Sequence, residues 1–151
     1  MQISSLRTIP IKIHGKIIHK EVHSFSVCSL TEIEDKRVAS GTSETNGGNI
    51  SICSYDVNTK TRKNIHKERI HKLCVSSLCT LNGNRLLSGN WLSMKVWAVF
   101  DTDLTLIKGI DAHTNFVNDI ILLSENRFAS CSDDRKVKIW DDKNYQCQTV
   151  L

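Results

Sequence analysis

Proline and aromatic residues are scarce in this sequence: of 151 residues one is proline, and 6% are aromatic. No stretch approaches the roughly 20 consecutive apolar residues that a membrane-spanning helix needs, so we expect no membrane partner. Residues 1–10 carry one positive side chain and no continuous apolar run, which argues against a secretory signal.

Motifs for metals, disulfides and phosphates are also missing. None of the six cysteines belongs to a Cys-x-x-Cys pair, and no histidine stands at tight ligand spacing to a cysteine. No Gly-Lys-Ser/Thr follows the glycine pair Gly47-Gly48. We therefore expect no cofactor and no metal. Cysteines within apolar runs are typical of free thiols in a reducing compartment, which predicts an intracellular, mainly cytoplasmic protein, with the nucleus as the second option.

An internal repeat is the strongest positive feature of the sequence. Three short markers recur in the same order in three copies. The first begins at His23, His71 and His113, the second at Arg37, Arg85 and Arg127, and the third at Tyr55, Trp97 and Trp140. The first two markers recur after 48 and then 42 residues, and the third after 42 and then 43. A period in this range indicates a repeat architecture.

Each copy is composed of short apolar runs bounded by turn residues, a pattern that favours β-strands over helices. Four strands fit into each copy. We predict them at 25–30, 37–41, 50–55 and 61–65, then at 75–81, 85–89, 94–99 and 104–108, and finally at 117–123, 127–132, 137–140 and 146–151. The segments around His19 and His66 are interpreted as linker sequence between repeats.

The third copy resembles the WD40 repeat, which has a period of about 40–45 residues and four strands per propeller blade. The resemblance is carried by His113, Val117, Ser130, Asp134 and the pair Trp140-Asp141. The other copies depart from the pattern. Tyr55 replaces the tryptophan in the first, Ala98 replaces the final aspartate in the second, and Trp91 stands where the second should have its turn aspartate.

The resemblance implies an all-β fold: three four-stranded antiparallel blades, an extra N-terminal strand and an incomplete ring. The expected division is residues 1–21 for strand material of a preceding or closing blade, and 22–69, 70–111 and 112–151 for the three blades. Known propellers have roughly four to eight blades. We expect the ring to be completed by further blades of a longer propeller, which we favour, or by self-association of several copies.

The resemblance also implies a buried hydrogen-bonded set of histidine, serine, aspartate and tryptophan in each blade. Its members would be His113, Ser130, Asp134 and Trp140, then His71, Ser88 and Trp97, and finally His23, Ser40 and Tyr55. Ser130, His113 and Asp134 mimic a catalytic triad in composition. Ser130, however, lies within an apolar strand and lacks a Gly-x-Ser-x-Gly elbow, so we expect no enzyme.

The function that the resemblance implies is a non-catalytic scaffold for protein–protein interaction. Partners would dock at the loops that follow the marker histidines and at the turns beside them. The candidate partner-binding residues are Ser24, Ser26, Lys72, Cys74, Asn90, Trp91, Asn115, Phe116 and Asp133. Trp91 and Phe116 are either exposed interface anchors or packed between blades, and the sequence leaves this choice open.

Two narrower functions remain as alternatives. The basic stretch from Lys60 to Lys72 would serve an RNA-associated protein, but it contains no aromatic residue to stack on bases, so we favour a solvated surface and other proteins as partners. The other alternative is a substrate-receptor subunit of a larger complex such as a ubiquitin ligase. The net charge of +4 is too small to decide between them.

Overall fold

A computed structural model describes residues 11–13, 16–19, 26–43, 45, 47–54, 64–101, 103–124 and 126–151, and for 11–13, 16–19 and 64–69 it describes the backbone alone. These residues form fourteen strands. They are β1 (Ile11–Ile13), β2 (Lys16–His19), β3 (Ser26–Ile33), β4 (Arg37–Ser43), β5 (Gly48–Ser54), β6 (Asn64–His71), β7 (Ser77–Leu81), β8 (Arg85–Gly89), β9 (Ser93–Val99), β10 (Leu104–Asp111), β11 (Val117–Leu123), β12 (Arg127–Ser132), β13 (Val137–Asp141) and β14 (Cys147–Val150). The described residues contain no helix that could span a membrane.

Twelve of the strands form three antiparallel sheets of four. Strands β3 to β6 form the first sheet, β7 to β10 the second and β11 to β14 the third, and neighbours in sequence are neighbours in each sheet. Strands β1 and β2 pair only with each other among the described residues, so an antiparallel pair of strands stands where one extra strand was expected. The predicted all-β fold with three four-stranded blades is confirmed.

Left-handed turns connect the first two strands of the first sheet and of the second sheet. In the first sheet Asp35 and Lys36 have φ angles of 63° and 55°. In the second, Gly83 and Asn84 have φ angles of 74° and 53°. Two successive positive φ angles characterise the hairpin turn whose twist matches that of the flanking strands. These turns therefore fix the register in which the marker arginines begin their strands.

One predicted strand is wrong. We expected the last strand of the first sheet at 61–65 and a linker around His66, but β6 runs from Asn64 to His71. It pairs with β5 from Cys53↔Asn64 to Gly48↔His71, with a bulge near Gly48. Charged residues are tolerated on an outer strand because one of its edges faces solvent, so composition alone could not exclude this strand.

Apolar side chains fill the gaps between neighbouring sheets. Leu86 and Trp97 on one face of the second sheet pack against Ala39 and Ile52 of the first. The next residues along the same strands point to the opposite face, as the two-residue period of a strand requires. There the second sheet packs against the third; the main contributors are Leu87, Val96, Ile120, Phe128 and Trp140.

The ring is open, because the far face of the third sheet is uncovered in the described structure. On this face Ile121 of β11 pairs with Ala129 of β12. The equivalent pair in the second sheet is Cys79 with Leu87. Ile121 is 52% exposed, whereas Cys79 is 7% exposed. The third sheet thus presents to solvent the kind of face that the other two bury.

Arg85 joins the second sheet to the third at their lower end, opposite the marker histidines. Its guanidinium donates to the backbone carbonyl of Asp142 and to the hydroxyl of Tyr145, each at 2.8 Å. It also lies 2.9 Å from the carboxylate of Asp142, which is almost fully buried. Arg37 occupies the same place in the first sheet and reaches the Phe100 carbonyl of the second at 3.4 Å.

We predict that Arg85→Met lowers the free energy of unfolding by about 3 kcal/mol, because it leaves the Asp142 carboxylate buried without its cation. Arg37→Met is the matched control. Its charged neighbour Asp35 is exposed and 3.7 Å away, so about 1 kcal/mol or less is expected. Urea unfolding of both variants measures the difference, and equal losses would contradict the role given to Arg85.

Candidate functional site

The upper end of the three sheets collects the loops that carry the marker residues. Strands alternate in direction, so successive connections alternate between the two ends of each sheet. The upper end therefore contains the connections at 72–76, 90–92, 112–116 and 133–136.

A complete hydrogen-bonded set lies beneath the third sheet's loops. The Nδ1 of His113 is 2.9 Å from Oδ2 of Asp134, and its Nε2 is 2.7 Å from Oγ of Ser130. Trp140 donates its indole N–H to the same Ser130 oxygen at 2.9 Å. Because a carboxylate only accepts, His113 donates from Nδ1 to Asp134, and in the neutral imidazole Nε2 then accepts the Ser130 hydroxyl.

Asp134 also organises the turn around it. Its carboxylate accepts the backbone N–H of Thr114 at 3.2 Å and that of Lys136 at 3.1 Å. Burial opposes its ionisation, but hydrogen bonds from His113 and from the Thr114 backbone outweigh burial and lower the pKa of Asp134 to about 2. The carboxylate is therefore ionised throughout the physiological range.

This arrangement is unsuited to nucleophilic catalysis, although its distances match those of a triad. Ser130 is buried, and its oxygen already accepts the Trp140 N–H. A catalytic serine must be reachable by substrate and must face donors for a developing oxyanion. The hydrogen bonds of His113 and Thr114 instead fix the loop 112–116 to the third sheet.

The second sheet has the same set without its acid. Nε2 of His71 is 2.8 Å from Oγ of Ser88, and Trp97 donates to Ser88 at 2.9 Å. Burial, helped by the charge of Lys95, lowers the pKa of His71 to about 3 despite its hydrogen bond with Ser88. His71 is therefore neutral near pH 7.

The first sheet departs further from the pattern. His23 and Tyr55 lie outside the described residues. The register pairs Val38 with Cys53, just as Leu86 pairs with Trp97 and Phe128 with Trp140. Cys53 therefore holds the tryptophan place, and the assignment of that place to Tyr55 was wrong by two residues. Ser40 donates instead to the Ser51 carbonyl at 3.3 Å.

Two lysines of this inner framework were missed in the sequence. Lys95 and Lys138 each stand two residues before a marker tryptophan and lie near its ring, 6.0 Å and 5.6 Å from the centroid. Their ammonium groups donate to the backbone carbonyls of Ile70 and Ala112, the residues preceding the marker histidines. The repeated Lys-x-Trp spacing was the signal that could have revealed them.

The predicted partner-binding residues divide into four groups. Ser24 lies outside the described residues; Ser26, Lys72, Trp91 and Asp133 are exposed; Cys74, Asn115 and Phe116 are half-buried. Asn90 is a correction: it is 6% exposed, and its side-chain oxygen accepts the Ser93 hydroxyl at 3.2 Å. Asn90 was misplaced by one position: counted along the second strand of each sheet, it corresponds to Ser132 of the third sheet and not to Asp133, and Ser132 is buried as well.

An aromatic pair is the most prominent surface feature of the upper end. Trp91 stacks on Phe116 with ring centroids 5.8 Å apart and ring planes inclined by 24°. The pair bridges the second and third sheets. Trp91 is 47% exposed, whereas Trp97 and Trp140 are each 4% exposed. Leu73 and Leu92, which sequence reasoning missed, add exposed apolar surface to loops at the same end.

The polar neighbours of this pair come from the third sheet. The backbone N–H of Asp133 donates to the Phe116 carbonyl at 3.0 Å, and the Asp133 carboxylate accepts the side-chain amide of Asn118 at 2.6 Å. Asn115 accepts the Phe116 backbone N–H at 2.9 Å. Among the described residues, no three potential metal ligands gather at one place.

Residues 104–141 match the family model described as "WD domain, G-beta repeat". The match begins with β10, the outer strand of the second sheet, and ends with β13 of the third. The segment that matches the family model is thus offset by one strand from the four-stranded third sheet.

Curated relatives match about half of this chain. The ubiquitin homeostasis protein lub1 of Schizosaccharomyces pombe is 32% identical over 82 residues, covering 53% of this chain and 11% of lub1. The human WD repeat-containing protein 37 is 29% identical over 92 residues, covering 60% of this chain and 18% of the relative. The chain spans less than a fifth of either relative's length.

Solved WD40 structures share the fold. The WD40 β-propeller domain of Doa1 aligns over 83% of this chain and 40% of its own, with a TM-score of 0.66 and 18% identity. The WD40 repeats of RRP9 align over 87% of this chain and 40% of their own, with a TM-score of 0.68 and 19% identity. The family resemblance predicted from the markers is confirmed.

The lowered pKa of His71 predicts that the protein loses stability in acid. His71 has its pKa lowered from 6.5 to about 3, so the unfolded chain takes up a proton that the folded chain refuses. From pH 7 to pH 5 this residue alone lowers the free energy of unfolding by about 2 kcal/mol. Urea unfolding should show a flatter pH dependence for His71→Gln, and the same slope in both proteins would contradict the assignment.

We predict unequal costs for equivalent serine substitutions. Ser130→Ala leaves the buried Trp140 N–H and His113 without their shared partner, and should cost about 2 kcal/mol. Ser40→Ala removes one long hydrogen bond at the equivalent place of the first sheet and should cost about 0.5 kcal/mol. Thermal and urea unfolding of the two variants provide the test. A cost for Ser40→Ala as large as that for Ser130→Ala would refute the difference.

Proposed function

Because the chain is built from WD40-type propeller blades, we propose that it is a non-catalytic scaffold whose protein partner docks on the upper end through Trp91 and Phe116. WD40 propellers are in general protein-interaction scaffolds. The narrower assignment to the upper end rests on the exposed aromatic stack.

The stack has the physical properties of an interface anchor. Tryptophan is among the residues most enriched at binding hot spots, because its ring contributes a large area with few rotatable bonds. Trp91 is held against Phe116 before any partner arrives. A side chain already fixed in position loses less conformational entropy on binding than a free one.

The turn that carries Trp91 differs from its counterpart in the third sheet. In the third sheet the equivalent turn supplies Asp134, which accepts a hydrogen bond from His113. In the second sheet the turn supplies no acid, and the ring of His71 bonds the Ser88 hydroxyl at 2.8 Å. An exposed indole gives the fold no comparable bond, and this supports a role in binding.

The narrower sequence-based alternatives gain no support from contacts. Of the basic stretch 60–72, side chains are described only from Ile70 onward, and Lys72 there is exposed. The name of lub1 refers to ubiquitin homeostasis, but the match covers 11% of that protein. All six cysteines are free thiols in the structure. Because free thiols are typical of reducing compartments, we propose an intracellular location.

We predict that Trp91→Ser reduces partner binding at least tenfold without lowering the melting temperature, because Trp91 lies at the surface. Phe100→Ser is the matched control. Phe100 is an equally exposed aromatic, 56% exposed, but it follows β9 at the lower end of the same sheet. Quantitative affinity capture with each variant as bait compares partner recovery with that of the wild type.

The expected pattern is loss of one set of proteins with Trp91→Ser and full retention of that set with Phe100→Ser. Equal recovery by all three baits would overturn the assignment to the upper end. Loss with Phe100→Ser alone would move the binding surface to the lower end.

A further inference from the structure

Two cysteines flank the contact between the first and second sheets near the upper end. Cys28 lies on β3 of the first sheet and is exposed. Cys74 lies in the connection 72–76 that leads into the second sheet, and it is half-buried. Both residues are thus at least partly exposed, in contrast to the buried Cys53 and Cys79.

Backbone and side-chain contacts hold the two cysteine-bearing segments together. Ser29, which follows Cys28, donates its hydroxyl to the Val75 carbonyl at 2.9 Å. The Val75 N–H donates to the Thr42 carbonyl at 3.1 Å, and Thr42 pairs with Val27, which precedes Cys28. Residues on both sides of Cys28 are therefore linked to the residue after Cys74.

The position of Cys28 is one from which a side chain can reach the next sheet. Cys28 occupies the register shift between Val27 and Ser29 on β3. The equivalent residue of the second sheet is Ser76, since Ser29 and Ser77 pair with Gly41 and Gly89. The Ser76 hydroxyl donates to the Val117 carbonyl of the third sheet at 2.5 Å. Val117 follows Phe116, the residue equivalent to Cys74.

Electrostatics agrees with this proximity. Burial raises the pKa of the Cys28 thiol, and the charge of the Cys74 thiolate raises it further. This repulsion agrees with the contacts that hold the two segments together.

We propose that Cys28 and Cys74 are a redox modification site, at which a disulfide forms under oxidising conditions and ties the first sheet to the connection 72–76. With glutathione disulfide as oxidant, the thiolate of one cysteine attacks a sulfur of the oxidant and displaces glutathione thiolate. The thiolate of the second cysteine then attacks the protein sulfur of the mixed disulfide and displaces a second glutathione. The two cysteines lose two electrons and two protons, and one glutathione disulfide is reduced to two glutathione molecules.

The experiment treats the whole chain with glutathione disulfide, blocks free thiols with iodoacetamide and maps the cysteines by mass spectrometry. We expect a peptide pair joined through Cys28 and Cys74, and the simultaneous loss of alkylation at both. Dithiothreitol should restore alkylation at both residues. Cys28→Ser should abolish the joined pair, while Cys147→Ser, which removes another exposed thiol, should leave it intact.

The alkylation of the wild-type chain keeps the test decisive if a variant does not fold. Glutathione adducts on Cys28 or Cys74 without a joined pair would overturn the proposal. So would a dominant linkage of either residue to Cys147, or a linkage found only in dimers on a non-reducing gel.

Discussion

The packing of one sheet face on the next is the interaction on which the rest of this structure depends. Each described sheet is too thin to bury a core of its own, since a single sheet has two faces and no interior. The second sheet is covered on both faces, by Leu86 and Trp97 toward the first sheet and by Leu87 and Val96 toward the third. The hydrogen bonds described above join sheets that this packing holds side by side.

The buried serine in the second strand of each sheet makes the alignment specific. A buried hydroxyl must be satisfied, and Ser88 and Ser130 are satisfied by an indole and an imidazole from different strands and loops. These bonds fix the connections at the upper end to the sheet beneath them. A rigid upper end is what allows loop side chains to present a defined surface.

The repeat could be predicted from the sequence because its markers are tied to backbone register. The bounds of β8, β11 and β12 agree with the predicted strands, since each is an apolar run closed by turn residues on both sides. Strand β6 could not be predicted, because an outer strand carries polar residues that resemble a loop. Cys53 shows the other limit: a small residue can hold the tryptophan place, and no residue type then marks the position.

The surface was harder to predict than the framework, because a one-residue difference in turn length changes which residues of two turns correspond. By strand register Trp91 corresponds to Asp133 of the third sheet, and both side chains are exposed. Asn90 corresponds to Ser132, and both are buried. The connection that leads into the third sheet supplies Phe116 as the stacked partner of Trp91. The turn 90–92 is one residue shorter than the turn 133–136 and contains no acid, so the buried network of the second sheet has no counterpart of Asp134. The same turn carries an aromatic side chain at a position that is exposed in both sheets, which is why the framework and the surface differ together at this place.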